Sequence, residues 1–151
     1  MKINEFTNRY RFLSNFFTCS IVYDGQKWKT AEHLFQGLKT DNSIMKEKIR
    51  RAATPGQAKK LGRRVWDLKS NWKQKRNLHM LVVLRLKFRQ NARLAIKLSA
   101  TEDAILEEGN HWHDNYWGNC FCLKCESIKG RNQLGKLLMQ IRKELKNEDS
   151  R

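Results

Sequence analysis

The sequence predicts a helix-rich single domain with a few short strands, and three observations carry that expectation. A single proline and eight glycines in 151 residues are too few for the frequent turns of an all-β sandwich. Forty per cent of the residues are apolar and five are tryptophan, enough to build a core and too many for a disordered chain. The third is helical spacing: Leu134, Leu137, Leu138, Ile141 and Leu145 fall at i, i+3, i+4, i+7 and i+11, one face of a long helix. The domain is expected over residues 1–146, with 147–151 a frayed tail. No internal repeat, low-complexity block or linker divides it.

Taken in order, "KINEF" alternates polar and apolar residues and reads as a short strand, followed by the aromatic stretch "FLSNFF". In "CSIVYDGQKWK" the pair Asp24-Gly25 separates two arms bearing Ile21, Tyr23 and Trp28, the pattern of a β-hairpin. Thr30 is placed to cap "AEHLFQGLKT". There Ala31, Leu34, Phe35 and Leu38 form an apolar stripe, and Glu32, Gln36 and Lys39 a polar row on its flank. "SIMKEKIRRAA" reads as a basic amphipathic helix, and "TPGQAKKLGRR" as a short helix with Pro55 at its start and Gly62 near its end. From Asn71 to Gln90, Leu78, Met80, Leu81, Val82, Val83, Leu84, Leu86 and Phe88 nearly encircle a helix, so a central buried helix is expected. "ARLAIKLSAT" continues helically, and "AILEEG" reads as a short strand.

Thirty-one Lys and Arg against fifteen Asp and Glu leave a formal charge of +16, which favours polyanionic partners. Lys46, Lys48, Arg50, Arg51, Lys59, Lys60, Arg63 and Arg64 crowd the middle third, a phosphate-facing patch or simply solvated helix faces. "MKINEFTNRY" lacks the apolar core of a signal peptide, and no apolar run approaches the roughly 20 residues of a membrane span. A cytoplasmic protein with reduced cysteines and no membrane partner is therefore expected. Walker, G-x-G-x-x-G and G-x-S-x-G motifs are absent, which removes support for kinase, dehydrogenase and serine-hydrolase readings.

Three groups of residues carry candidate chemistry. Glu32, in "KTAEHLFQ", is either an acid suited to a helix start or a carboxylate at a cleft beside Gln36 and Lys39. "HWHDNYWGN" brings Asp114 together with aromatics: a base can stack on Trp117 while Asp114 holds ribose hydroxyls, or the aromatics simply pin the loop. "CFCLKC" spaces Cys122 and Cys125 as half of a zinc site, with Cys120 beside them and the remaining ligand open among His111, His113 and Cys19. Such a zinc would order the loop; plain reduced thiols are the alternative.

In order, "FLSNFF", "WKTAEHLFQGLK", "ATPGQAKKLGRRV", "MLVVLRLKFRQN", "DAILEEG", "DNYWG" and "GRNQLGKLLMQIR" resemble the YbiA-like family, also called the NADAR superfamily, from about residue 4 to residue 145. The resemblance implies a compact, mainly helical α+β domain and an N-glycosidase. Some family members act on ribosylamino-pyrimidine intermediates of riboflavin synthesis; others remove ADP-ribose from guanine bases of DNA. The family's T-x-E-H-x-x-Q motif falls on Thr30 to Gln36, which makes Glu32 the catalytic candidate. D-x-x-W-G falls on Asp114, Trp117 and Gly118, so that Asp114 would position ribose or share the acid–base work. F-x-S-N-F offers Asn15 and Phe16 to the ligand, the G-R pair falls on Gly62 and Arg63, and G-x-N-x-L-G supplies Asn132. Lys39 would hold Glu32 ionised, Trp117 and Phe16 would stack the leaving base, and Lys59 and Arg63 would meet phosphate. No metal or organic cofactor is needed for such a hydrolysis. The implied partners are ADP-ribose or a ribosylamino nucleotide, with DNA as a candidate polymer; oligomeric state is not written in the pattern. The chain departs from the enteric riboflavin-type members in two places: one extra residue between Glu108 and Asp114, and "CFCLKCESIK" in place of a glycine-rich linker. The remaining alternative is a non-catalytic binder of ADP-ribose or nucleic acid.

Overall fold

The computed structural model describes residues 1–151. Its elements run β1 (Lys2–Ile3), β2 (Thr18–Tyr23), β3 (Gln26–Thr30), α1 (Ala31–Gly37), α2 (Ser43–Arg50), α3 (Pro55–Arg63), α4 (Trp72–Gln90), α5 (Ala92–Ser99), β4 (Ile105–Leu106), β5 (Gly109–Asn110), β6 (Asn119–Cys120) and α6 (Gln133–Asp149). Helix predominates and the strands are short, as the composition indicates. The elements group into two compact units: Asn15–Asn91, and Met1–Ser14 with Ala92–Arg151.

In the unit Asn15–Asn91, β2 and β3 pair antiparallel with Tyr23 opposite Gln26. Asp24 and Gly25 both take positive φ, 49° and 72°, the backbone a tight two-residue hairpin turn demands. The hairpin runs directly into α1, where Thr30 accepts the His33 amide at 3.1 Å as N-cap. Thr54 caps α3 in the same way through Gln57, with Pro55 at the first helical position. Ile21, Trp28, Leu34, Leu38, Val83, Leu84 and Phe88 are fully buried in this unit. Ile49, Ala52, Ala58 and Val65 form a second small cluster against Met45 and Leu61.

Helix α4 corrects an expectation. Its apolar residues nearly encircle it, yet Leu78 is 59% exposed and Leu81, Val82 and Leu86 are half-buried. Only one face, Met80, Val83, Leu84, Lys87 and Phe88, is buried. The helix is amphipathic by position rather than by composition, because tertiary packing overrides the pattern. Lys87, which its charge assigns to the solvent side, is 0% exposed. Its ammonium lies 5.8 Å and 5.3 Å from the ring centres of Phe17 and Phe88, within cation–π range.

In the other unit, β1 pairs parallel with β4 and β5 parallel with β6. Leu134, Leu138 and Ile141, from the predicted stripe of α6, are buried. The buried Arg142 on that helix donates to Thr101 Oγ1 at 2.8 Å and Ala104 O at 2.9 Å, fixing the turn ahead of β4. The helix continues to Asp149, three residues into the segment expected to fray; nothing in "KNED" breaks it, and the Ser150 hydroxyl donates to Lys146 O at 2.9 Å.

Candidate active site

Helix α1 is buried along its whole length, polar residues included, so Glu32 and Gln36 of the flanking row lie inside the protein, while Lys39, just past the helix, is half-buried. Glu32 is 6% and Gln36 4% exposed. One turn apart on the same face, they meet directly: Gln36 Nε2 donates to Glu32 Oε1 at 2.7 Å. The Glu32 amide, one of the orphan donors of the helix start, donates to Asn15 O at 3.0 Å. The carboxylate is therefore fixed from its backbone and from its side chain.

The adjacent histidine plays a different part. The Thr30 hydroxyl and His33 Nδ1 are 2.7 Å apart, and His33 Nε2 lies 3.0 Å from Ala52 O. Because a carbonyl only accepts, Nε2 carries the proton; the Thr30 hydroxyl donates to Nδ1 while its oxygen takes the His33 amide. Burial pulls the His33 pKa below 6.5, with Lys29 adding to that and the Ala52 bond opposing it. His33 thus ties α1 to the end of α2 as a neutral ring.

One cation, Lys39, stands within charge range of Glu32, and two more, Lys59 and Arg63, within charge range of Lys39. Burial lowers the Lys39 pKa; the Glu32 charge opposes this, and Arg63 and Lys59 reinforce it. Lys39 is held through its backbone, its carbonyl accepting the Lys69 amide at 2.9 Å, and Thr40 next to it donates to Asp67 Oδ1 at 2.9 Å. Lys59 and Arg63 lie one turn apart on α3, and Lys59 Nζ sits 5.9 Å from the Phe16 ring centre. Gly62 permits the close approach of α3, since a Cβ there would overlap Gln36 Oε1. Asn15 Oδ1 and Gln36 Oε1 are buried without a hydrogen-bond partner in the protein, while Asn15 Nδ2 reaches only Met80 Sδ at 3.4 Å. Unfilled buried acceptors are costly, and two of them beside one carboxylate suit a ligand that donates.

The structure so brings together Asn15, Phe16, Glu32, Gln36, Lys39, Lys59 and Arg63. Asp114, Trp117, Gly118 and Asn132 form a second group in the other unit, and there the polar atoms are largely spoken for. Asp114 Oδ1 accepts the amides of Tyr116 at 3.1 Å and Trp117 at 2.9 Å. The carbonyls of Gly118, Tyr116 and Trp117 accept the amides of Asn132, Gln133 and Leu134, capping α6 without a capping side chain. Asn132, in left-handed backbone at φ 48°, donates to Leu106 O at 2.8 Å and accepts the Glu108 amide at 3.1 Å. At Gly118 a Cβ would overlap Glu108 O. Trp117 packs edge-on to Tyr116, ring centres 4.9 Å apart. Asn110 escaped sequence reasoning: 1% exposed, it donates to Asp114 O at 2.7 Å and accepts the Trp112 and Asp114 amides. The only signal for it was an asparagine two residues before a turn.

His113, Cys120, Cys122 and Cys125 also converge here, their ligand atoms within 4.8 Å of one another, so that the group could hold a metal. Of the three residues left open as the remaining ligand, the geometry selects His113. No helix of the chain is long and apolar enough to cross a membrane.

A buried, doubly held carboxylate on one short helix, with Lys39 in charge range of it and Lys59 and Arg63 of α3 in charge range of that lysine, forms the candidate active site. Comparison with known proteins makes this specific: residues 3–146 match the NADAR domain, and the chain belongs to that family. It is 39% identical over 137 residues to N-glycosidase YbiA of Escherichia coli (strain K12), covering 90% of this chain and 82% of that protein. It is 33% identical over 143 residues to N-glycosidase Npun_R5314 of Nostoc punctiforme, covering 91% and 87%. With riboflavin biosynthesis protein VVA0006 of Vibrio vulnificus it shares 39% identity over 136 residues, 89% of this chain but 35% of that longer protein. The NMR structure of E. coli YbiA superposes with a TM-score of 0.84 at 36% identity, covering 99% of this chain and 86% of the other. The family is one of N-glycosidases, hydrolases of N-glycosyl bonds.

Proposed function

We propose that this protein hydrolyses the bond between a ribose C1 and a base nitrogen, removing ADP-ribose from guanine bases in DNA, with Glu32 as the catalytic carboxylate. The observation that carries the reading is the buried Glu32, held by Gln36 within charge range of Lys39, itself flanked by Arg63 and Lys59. In the reaction the C1–N bond breaks and a C1–O bond to water forms; one proton of that water stays on the new C1 hydroxyl and the other ends on the nitrogen of the departing base. Glu32 stabilises the cationic character that develops on the sugar and takes the proton from the attacking water. Lys39, Lys59 and Arg63 meet the diphosphate. Asn15 Oδ1 and Gln36 Oε1 accept from ribose hydroxyls or the base edge, and Phe16 offers a stacking face. Asp114, Trp117, Gly118 and Asn132 contribute through the order they give their loop. The cysteines and His113 take no part in this step.

The formal charge of +16 favours a polymeric anion over a single small metabolite. The second reading, hydrolysis of a ribosylamino-pyrimidine phosphate, is favoured by relatives named for riboflavin biosynthesis in Vibrio vulnificus and Zea mays. Incubation with ADP-ribosylated DNA and, separately, with the ribosylamino-pyrimidine phosphate, followed by mass spectrometry, chooses between them. Release of ADP-ribose from DNA alone is expected; release only of ribose 5-phosphate from the small substrate would replace the first reading by the second. Tight binding of ADP-ribose with no release from either would make the protein a binder rather than an enzyme.

A further inference from the structure

We propose that His113, Cys120, Cys122 and Cys125 bind one zinc ion that cross-links the loop between Asn110 and Asn132. His113 Nδ1 lies 3.2 Å from Cys122 Sγ and 3.4 Å from Cys125 Sγ. A tetrahedral zinc with ordinary Zn–S and Zn–N bonds has N···S edges of about 3.5 Å, so the ring nitrogen already stands about one ligand edge from two of the sulfurs. Cys122 to Cys125 form a turn closed by the Cys125 amide on Cys122 O at 3.0 Å, which aims both sulfurs to one side. His113 adopts φ 69°, a left-handed backbone that a non-glycine residue keeps only where its surroundings hold it there.

A cross-link would add to the hydrogen bonds that shape the loop. Leu123 is 89% exposed and Phe121, Ile128 and Trp112 are largely exposed, so apolar burial contributes little to its order, and a structural metal is the usual substitute. A disulfide would use two of the three sulfurs and leave the imidazole without a purpose; all four cysteines are free thiols. Zinc binding displaces three thiol protons and leaves the site with a net charge of −1, since three thiolates meet one Zn²⁺ and a neutral imidazole. A chain of +16 tolerates that charge readily. Three sulfurs and one nitrogen complete the tetrahedron, so no position remains for water and the ion is structural rather than catalytic. Its effect on the reaction runs through position: His113 precedes Asp114, and Cys120 follows the Trp117-Gly118 pair. The zinc site stands whether or not Glu32 is catalytic.

The test measures zinc in the purified, reduced full chain by plasma mass spectrometry, with circular dichroism as a check of folding. One zinc per chain is expected, retained in Cys19→Ser and lost in Cys122→Ser. Because ligand loss could also unfold the loop, cobalt titration of the zinc-stripped wild-type chain gives an independent readout. Tetrahedral ligand-field bands together with thiolate-to-cobalt charge-transfer bands are expected at one equivalent. A folded, reduced chain that takes up no stoichiometric zinc and shows no such bands overturns the proposal. So does zinc retained equally in Cys122→Ser and His113→Ala.

Discussion

The two groups of site residues are built in opposite ways. Around Glu32 the side chains come from helices α1 and α3 and from the turns at Asn15–Phe16 and Lys39, and polar atoms are left short: Asn15 Oδ1 and Gln36 Oε1 have no partner in the protein. In the loop from Asn110 to Asn132 the side chains stand on irregular backbone, and their polar atoms are consumed by it. Asn110, Asp114 and Asn132 between them accept five backbone amides. Asn115 and Asn119 accept two more, from Cys120 and Gly130. A rigid frame with unfilled acceptors is prepared for something outside itself; a loop with filled ones is prepared to hold its own shape. Under the proposed function, the first group does the chemistry and the second the positioning.

That division breaks or sharpens at particular residues. After Glu32 itself, the largest effect is expected at Gln36. Gln36→Met removes the bond to Glu32 Oε1, and a hydrogen bond to a charged group is worth about 1.5–3 kcal/mol, so kcat should fall roughly 10- to 150-fold. Steady-state kinetics with unchanged turnover would show that Glu32 needs no such orientation. Arg63→Ala should raise KM about tenfold with little change in kcat, as loss of one charge-assisted phosphate contact would; a fall in kcat alone would move Arg63 into the chemical step. Asp114→Asn keeps an acceptor oxygen for the Tyr116 and Trp117 amides and should hold both the fold and turnover within about tenfold of the wild type. Asp114→Ala loses that acceptor and should cost about 1–2 kcal/mol of stability in urea. A turnover loss at Asp114→Asn as large as that at Glu32 would overturn the division outright.

The smallest effect is a pH slope. The folded His33 pKa lies below 6.5, so as pH falls the unfolded chain takes up the proton first. Its contribution is complete above 6.5 and declines as pH drops from there toward the folded value. Urea denaturation above and below 6.5 should show that decline in the wild type. His33→Gln should flatten it to the share left by His79, which burial, Lys69 and Lys75 also lower.

What could be read from the sequence follows the same division. Helical period places Glu32, Gln36 and Lys39 on one row without a structure, because i, i+4 and i+7 share a face whatever surrounds them. Thr30, Thr54, Pro55 and Asp24-Gly25 likewise act locally and are legible. Period does not say what packs against a face. Glu32 and Gln36 of the row beside α1 are therefore buried and Lys39 half-buried, α4 has an exposed Leu78, and Lys87 is inside. Nor does a motif say where its polar atoms point. "DNYWG" and "GRNQLG" are separated by eleven residues, yet the carbonyls of one cap the helix that the other begins, a relation visible only in three dimensions. Spacing alone leaves the fourth ligand of the cysteine cluster open among three residues for the same reason, and the fold brings His113 to it.

The most direct test of the Glu32 assignment is single-turnover release of ADP-ribose from an ADP-ribosylated guanine oligonucleotide, measured beside binding of the same oligonucleotide, for wild type and Glu32→Gln. The substitution keeps the size of the side chain and removes its charge. Release should fall about 10³-fold while binding stays within a few-fold. Release within tenfold of wild type, with binding intact, would take Glu32 out of the reaction.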